Sequence, residues 1–273
     1  MRIFLTILIF NLVIMVVEAP NKSKVAYASE QGFRTLGSEH FVINYQEEVG
    51  YSYAGKIKKT AEKFYRIITQ EFNLVREKLW LRDNRTKVFI AKDKETYVED
   101  FGCSAWSSAC VNYRDRIIYT YPNYDYERFI PTFVHELTHI IFREYVGQGK
   151  LPLWLDEGVA TYMEEKYGAN FYQNSFALLR ERIERGDYIK IEDLMKVTPQ
   201  DLKGKPQDYL NLFYIESYSI INFIMDRYGK YKFSNLLYYL KRGYSLQDSL
   251  SRVSYEIRDL DKLEDKWKRF YQG

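Results

Sequence analysis

From His40 to Pro122 short alternating or β-branched apolar runs are interleaved with stretches of helical period. Beyond it the apolar residues recur at helical intervals almost to the last residue. That switch of period limits the fold more than any other feature, because a period-2 pattern and a period-3.6 pattern bury different faces. Before the switch, HFVINYQ (40–46), TKVFIA (86–91) and DRIIYTYP, ended by Pro122, read as strands. Between them, Tyr51 to Phe72 places Ile57, Ala61, Phe64, Tyr65 and Ile68 on one helical face, and DKETYVEDF reads as a short helix. After the switch come helices over Tyr126–Tyr145, ended by Gly147 and Gly149, and over Leu153–Tyr167, ended by Gly168. Further helices follow over Phe171–Glu184, Tyr209–Tyr228, Lys232–Lys241, Leu246–Val253 and Leu260–Tyr271. LKGKPQD (202–208) is polar and carries a Gly and a Pro, so it reads as a surface loop. The expected class is α+β, with a small mixed sheet and helices in the first half and an all-helical second half.

The chain opens MRIFLTILIFNLVIMVVEAP. Arg2 precedes a 15-residue run, Ile3 to Val17, interrupted only by Thr6 and Asn11. A membrane span needs about 20 residues, so this length and charge order fit the core of a signal peptide. Residues 1–28 are therefore expected to be a signal peptide or an N-terminal anchor, with Ala26-Tyr27-Ala28 as one small-x-small cleavage site. The remainder, 29–273, divides into a sheet-bearing part (29–168) and a helical part (169–273). Loss of the leader removes Arg2, Lys22, Lys24 and Glu18, and the formal charge falls from +3 to +1. A nearly neutral chain offers no electrostatic case for nucleic acid. The expected place is extracytoplasmic, and any membrane contact is expected only through an uncleaved leader. In an oxidising compartment Cys103 and Cys110, the only cysteines, are expected to pair.

The sequence holds three histidines, and two of them fall in HELTH, residues 135–139. On a helix, positions four apart share a face, so His135 and His139 can both reach one tetrahedral ion at about 2.0–2.1 Å. Glu136 lies beside the first imidazole, where it can act as a base on a water next to the ion. Two buried imidazoles can also be ordinary core residues. A catalytic metal needs a third protein ligand, and no histidine follows His139, so a carboxylate is required. Glu157 lies 18 positions on, in LPLWLDEGVATYMEE, with Asp156 as its nearest rival and Glu164 and Glu165 as more distant ones. Gly158 permits a close backbone approach to the metal or to the first helix.

HELTH followed by WLDEGVATY resembles the gluzincin metallopeptidases, thermolysin-like in their site, and looks closest to the peptidase-MA-like family. Carried over by position, the resemblance implies a zincin-like fold holding one Zn2+ on His135, His139 and Glu157, with Glu136 as the catalytic acid/base. Trp154, Gly158, Ala160 and Tyr162 complete the second motif. The clear likeness spans about residues 114–167, and YIESYSIINFIMDRYG (214–229) is similar to the family's downstream helix. One departure is Thr161, which stands where thermolysin-like members carry an aspartate that orients a histidine. The resemblance also implies that DRIIYTYP is the edge strand pairing with an extended peptide. Peptide hydrolysis builds negative charge that needs a donor. With no histidine downstream, Tyr214 and Tyr218 are the candidates. The expected activity is that of an exported zinc metallopeptidase acting on a peptide or protein. An aminopeptidase on the same site, or a non-catalytic binding domain on a degenerate peptidase fold, are the alternatives.

Overall fold

Five short strands form the sheet: β1 (Phe33–Gly37), β2 (Phe41–Gln46), β3 (Thr86–Ile90), β4 (Ala109–Asn112) and β5 (Ile117–Thr120). Their spatial order is β1-β2-β3-β5-β4. β2, β3 and β5 run parallel, while β1 and β4 pair antiparallel at the two sides, so the sheet is mixed. The computed structural model describes residues 32–75, 80–123, 125–147, 151–169 and 175–273. The expected leader lies outside them, as does the start of the helix expected from Phe171.

Because side chains alternate across a strand, the sheet presents two apolar faces. Phe41, Ile43, Val88, Ile90 and Ile118 belong to the main core. Helix α1 (Gly50–Glu71) buries Ala54, Ile57, Ala61, Phe64, Tyr65 and Ile68 in that same core, at three- and four-residue spacing. Phe89 and Tyr119 point the other way, into a smaller cluster with Tyr97, Phe101, Cys103 and Cys110. Tyr97 comes from α2 (Lys94–Glu99), whose first turn is capped by the Asp93 side chain accepting from the Thr96 N–H at 2.8 Å. Cys103 and Cys110 form a disulfide, which closes the loop leading into β4.

The expectation for DRIIYTYP is half right. It does form a strand, β5, but an interior one between β3 and β4. The outer strand is β4. A tight turn over Asn112–Arg116 explains this. The Asn112 Oδ1 accepts from the Asp115 N–H at 3.1 Å, and Arg116 takes a positive φ of 54°. The turn folds β4 back antiparallel onto the free side of β5. Neither β4 nor β1 shows enough alternation to be read in advance.

Helices α3 (Tyr126–Val146) and α4 (Leu153–Glu164) follow, then α5 (Phe176–Arg185), α6 (Ile191–Leu194), α7 (Pro199–Leu202), α8 (Gln207–Lys241), α9 (Leu246–Val253) and α10 (Leu260–Gln272). The helical turns of α8 break at Gly229, whose φ of 75° and ψ of 167° leave the helix, so two helical pieces meet there as the glycine suggests. The segment 202–208 is, as expected, an exposed turn over residues 203–206 that joins α7 to α8. Thr198 and Asp201 form a reciprocal capping box with Pro199 at the first position, and this opens α7 just before the loop. The main core runs from Phe41 in β2 to Tyr271 in α10, so both halves share one apolar interior.

Helix α4 is apolar on nearly every side, and ten of its residues are buried. It lies against both α3 and α8. At Gly158 the approach of α8 is so close that a Cβ would sit 2.5 Å from the Ser217 carbonyl oxygen. The glycine therefore serves contact with α8, at Ser217 and Ile221, and not with the metal or α3.

Candidate metal centre

His135 and His139 sit one turn apart on α3, and each side chain is 1% exposed. Their Nε2 atoms are 3.1 Å apart. Glu157 Oε2, from α4, is 3.6 Å from both. Donors about 2.0–2.1 Å from one tetrahedral ion lie about 3.3–3.4 Å from each other. The observed triangle brackets that spacing. Glu157 Oε2 is buried and accepts no hydrogen bond among the described residues. A buried carboxylate oxygen left this way is costly unless a cation answers it. The donor set thus fits a zinc ion, and these three residues are a group able to hold a metal.

Of the two remaining ring nitrogens, one is hydrogen-bonded and the other faces an acid. His135 Nδ1 lies 2.9 Å from Glu164 Oε2, and His139 Nδ1 lies 3.2 Å from Asp156 Oδ1, close in distance but off the direction of a hydrogen bond. Arg143, one turn past His139, donates from Nε to Asp156 Oδ2 at 2.7 Å, with its Nη2 at 2.6 Å. Asp156 and Glu164, rivals of Glu157 on sequence grounds, therefore stand on the outer side of the imidazoles. Carboxylates there fix ring orientation and tautomer. Glu165 is buried but is not one of the three donors. Thr161 is buried with its hydroxyl unpartnered among the described residues, so Asp156 and Glu164 hold the imidazoles in its stead. The pairs 135–164 and 143–156 also show that α3 and α4 run antiparallel.

Charge follows this geometry. Burial alone would lower the basicity of both imidazoles, but the facing carboxylates outweigh it. Asp156 and Glu157 raise His139 to about 9, and Glu164 and Glu157 raise His135 well above the ordinary histidine value. Burial alone would raise the Glu157 carboxyl, yet His139 and His135 hold it well below the usual carboxylate range. The cluster is built to gather positive charge.

Glu136 points from α3 on a neighbouring face and is 7% exposed. Burial raises its carboxyl, Glu157 adds to this, and His135, His139 and Arg143 oppose it. Its charge acts on two tyrosines that the sequence did not single out. Burial and then the charge of Glu136 push Tyr113 well above the ordinary phenol value, and Glu136 also acts on Tyr97, whose hydroxyl is buried and unpartnered among the described residues. The Tyr113 ring meets His139 edge-on at 5.8 Å and carries the Arg143 guanidinium 3.6 Å above it. The position of Arg143, four after His139, is a signal that sequence reading can use. Tyr113 has none, because the β4–β5 turn brings it in from another element. Tyr214 and Tyr218 are both buried in α8. Tyr218 stacks on Phe176 at 5.5 Å and Tyr214 packs edge-on against Phe213 at 5.4 Å.

No curated protein sequence matches this chain. The sequence profile of the Peptidase MA superfamily does, over residues 111–273, from β4 through α3, α4 and α8 to the C-terminus. That span is more than half of the chain and contains His135, Glu136, His139 and Glu157. The chain belongs to the Peptidase MA superfamily.

Proposed function

We propose that this chain is an exported zinc-dependent peptidase of the gluzincin type. The observation that carries the reading is the buried Glu157 Oε2, which accepts no hydrogen bond among the described residues and lies equally far from the two Nε2 atoms. His135, His139 and Glu157 would hold the zinc. A zinc ion in such a site acidifies water and polarises a carbonyl.

The rest of the work falls to the chain. Glu136 accepts a proton from the attacking water and returns it to the leaving amine, and its raised affinity for protons suits both steps. Asp156 and Glu164 keep the imidazoles from turning. Of the tyrosines, Tyr113 is the one whose ring meets a candidate ligand, His139, at 5.8 Å, so it becomes the first candidate to donate to the developing oxyanion. Tyr214 and Tyr218 follow it. β4, whose one described partner is β5, replaces β5 as the strand proposed to align an extended peptide. The Cys103–Cys110 disulfide supports the export reading, since such bonds persist in oxidising compartments.

The test is metal analysis of the purified chain together with Glu136→Gln in a protein-cleavage assay. Zinc is expected to copurify at one ion per chain. The variant is expected to keep zinc and lose roughly 10²–10⁴-fold in rate. A chain that neither carries nor takes up zinc ends the metal reading. A variant that keeps zinc and cleaves normally removes Glu136 from the role of base.

A further inference from the structure

A cavity of about 210 Å³ opens beside the metal centre, lined by Tyr113, Arg116, Ile140, Arg143, Glu144 and Gly147. Four of these residues belong to one face of α3 and its end. Ile140, Arg143 and Gly147 follow Glu136 by 4, 7 and 11 positions, which returns them to the Glu136 side of the helix. Tyr113 bridges the two places, since its ring both lines the cavity and meets His139. At about 1.5 Å of rise per residue, the cavity is centred roughly 10 Å along α3 from Glu136. An extended peptide advances about 3.3 Å per residue. For a peptide that runs alongside α3, the cavity would stand about two or three substrate residues from the bond that Glu136 would act on. Its volume is below the roughly 300–1,000 Å³ of pockets that enclose whole small molecules, and it suits one side chain or one chain end.

Its polar groups are not evenly matched. Glu144 has both oxygens engaged: Trp80 Nε1 donates to Oε2, and Arg116 Nη1 donates to Oε1 at 3.4 Å. Arg116 Nη2 donates to Asn84 at 2.5 Å. Arg143 spends Nε and Nη2 on Asp156 Oδ2. A guanidinium has five N–H donors, so each arginine keeps three beyond these contacts, Nη1 among them on Arg143 and Nε on Arg116. Among the described residues the lining acid has both oxygens engaged, while the two cations, each paired with one acid, keep donors to spare.

We propose that this cavity is a specificity subsite for a carboxylate, carried either by an Asp or Glu side chain or by the C-terminus of the substrate. The proposal rests on the peptidase reading for its position relative to the cleaved bond, but its binding chemistry can be measured without catalysis. Zinc-loaded Glu136→Gln is titrated by fluorescence anisotropy with labelled peptides that differ only as Glu against Gln at one position, or as free acid against amide at the C-terminus. One pair is expected to differ by about tenfold or more in favour of the acid, as for a charge-assisted hydrogen bond. Which pair responds tells a side-chain source from a terminal one. Arg116→Gln in the same background is expected to reduce the ratio to near one, and Arg116→Lys, which keeps the charge and the pairing with Glu144, to reduce it in part. Equal binding within both pairs overturns the subsite, as does a ratio that Arg116→Gln leaves unchanged. Wild-type cleavage of a random peptide mixture, mapped by mass spectrometry, is the independent arm. Cuts at a fixed spacing of two or three residues from an acid support the placement, and cuts without that spacing overturn it. If no peptide is cut, the peptidase reading fails while the binding ratio still decides the subsite.

Discussion

Glu157 and Glu216 are both carboxylates sunk in the helical interior, at 2% and 0% exposure, and they are driven in opposite directions. Glu157 faces two imidazoles and is held well below the usual carboxylate range despite its burial. Glu216 faces the Ile189 N–H, which donates to both of its oxygens at 3.1 Å, and burial drives it well above that range, with the Ile189 N–H and Arg182 only partly opposing. Burial alone thus says little about what a buried acid does. A carboxylate kept ionised among histidines is a ligand in waiting. One pushed towards its neutral form on a loop amide is a fastening between α8 and the segment before α6.

The comparison is broken most directly at the two acids themselves. Glu157→Gln is expected to weaken zinc binding by more than the roughly 10–100-fold that outer partners are worth, while Glu216→Gln leaves it within about twofold. Chelator competition measures both, and similar losses in the two variants would erase the distinction. Next in size come the supports of the imidazoles. Asp156→Asn and Glu164→Gln should each cost roughly 10–100-fold in zinc affinity, read by the same titration. Thr161→Val should cost much less. A smaller and purely kinetic effect is expected at Tyr113→Phe, with kcat lowered about tenfold at unchanged zinc affinity. Tyr214→Phe and Tyr218→Phe should change kcat less, and the reverse order would return the donor role to α8.

The smallest effect is one of stability. A carboxyl raised on folding binds its proton more tightly in the folded chain than in the unfolded one, so folding loses stability as pH climbs above the ordinary glutamate value of 4.5. Glu216→Gln keeps an acceptor for Ile189 and removes the charge. Its Tm should exceed wild type by a few degrees at neutral pH, and the gap should close below about pH 4.5. Differential scanning fluorimetry across pH checks this, and a gap that stays constant with pH would remove the titration of Glu216 from the explanation.

Sequence alone brought His135, His139 and Glu157 into one group, as the structure does, because their geometry is local. His135 and His139 are set by one helix, and Glu157 by the next helix of the same hairpin. Helix ends were legible for the same reason, as at Gly147, which follows α3 with a positive φ, and at Gly229. What failed depends on distant pairing. The place of β5 inside the sheet is decided by β3 on one side and by the Asn112–Arg116 turn on the other, and neither shows in DRIIYTYP. β4 is four residues long and buried throughout, so it has no alternation to detect. Asp156 and Glu164 were visible as acids near the site. Only the antiparallel crossing of α3 and α4 shows that they stand behind the imidazoles and not in front. Tyr113 reaches His139 across 26 positions of chain, and no periodicity encodes such a meeting.

The contact at Gly158 ties these observations to the chain as a whole. The residue after the third donor is pressed against the Ser217 carbonyl, so the position of Glu157 is set by α8 as much as by its own helix. Ion binding and the docking of α8 are then thermodynamically linked. An ion that favours the assembled donors favours the assembled helices by the same free energy, and stripping it with a chelator loosens an element some 60 positions further along the chain. Metal occupancy would in that case report the integrity of the helical part beyond residue 169, although none of the three donors resides there.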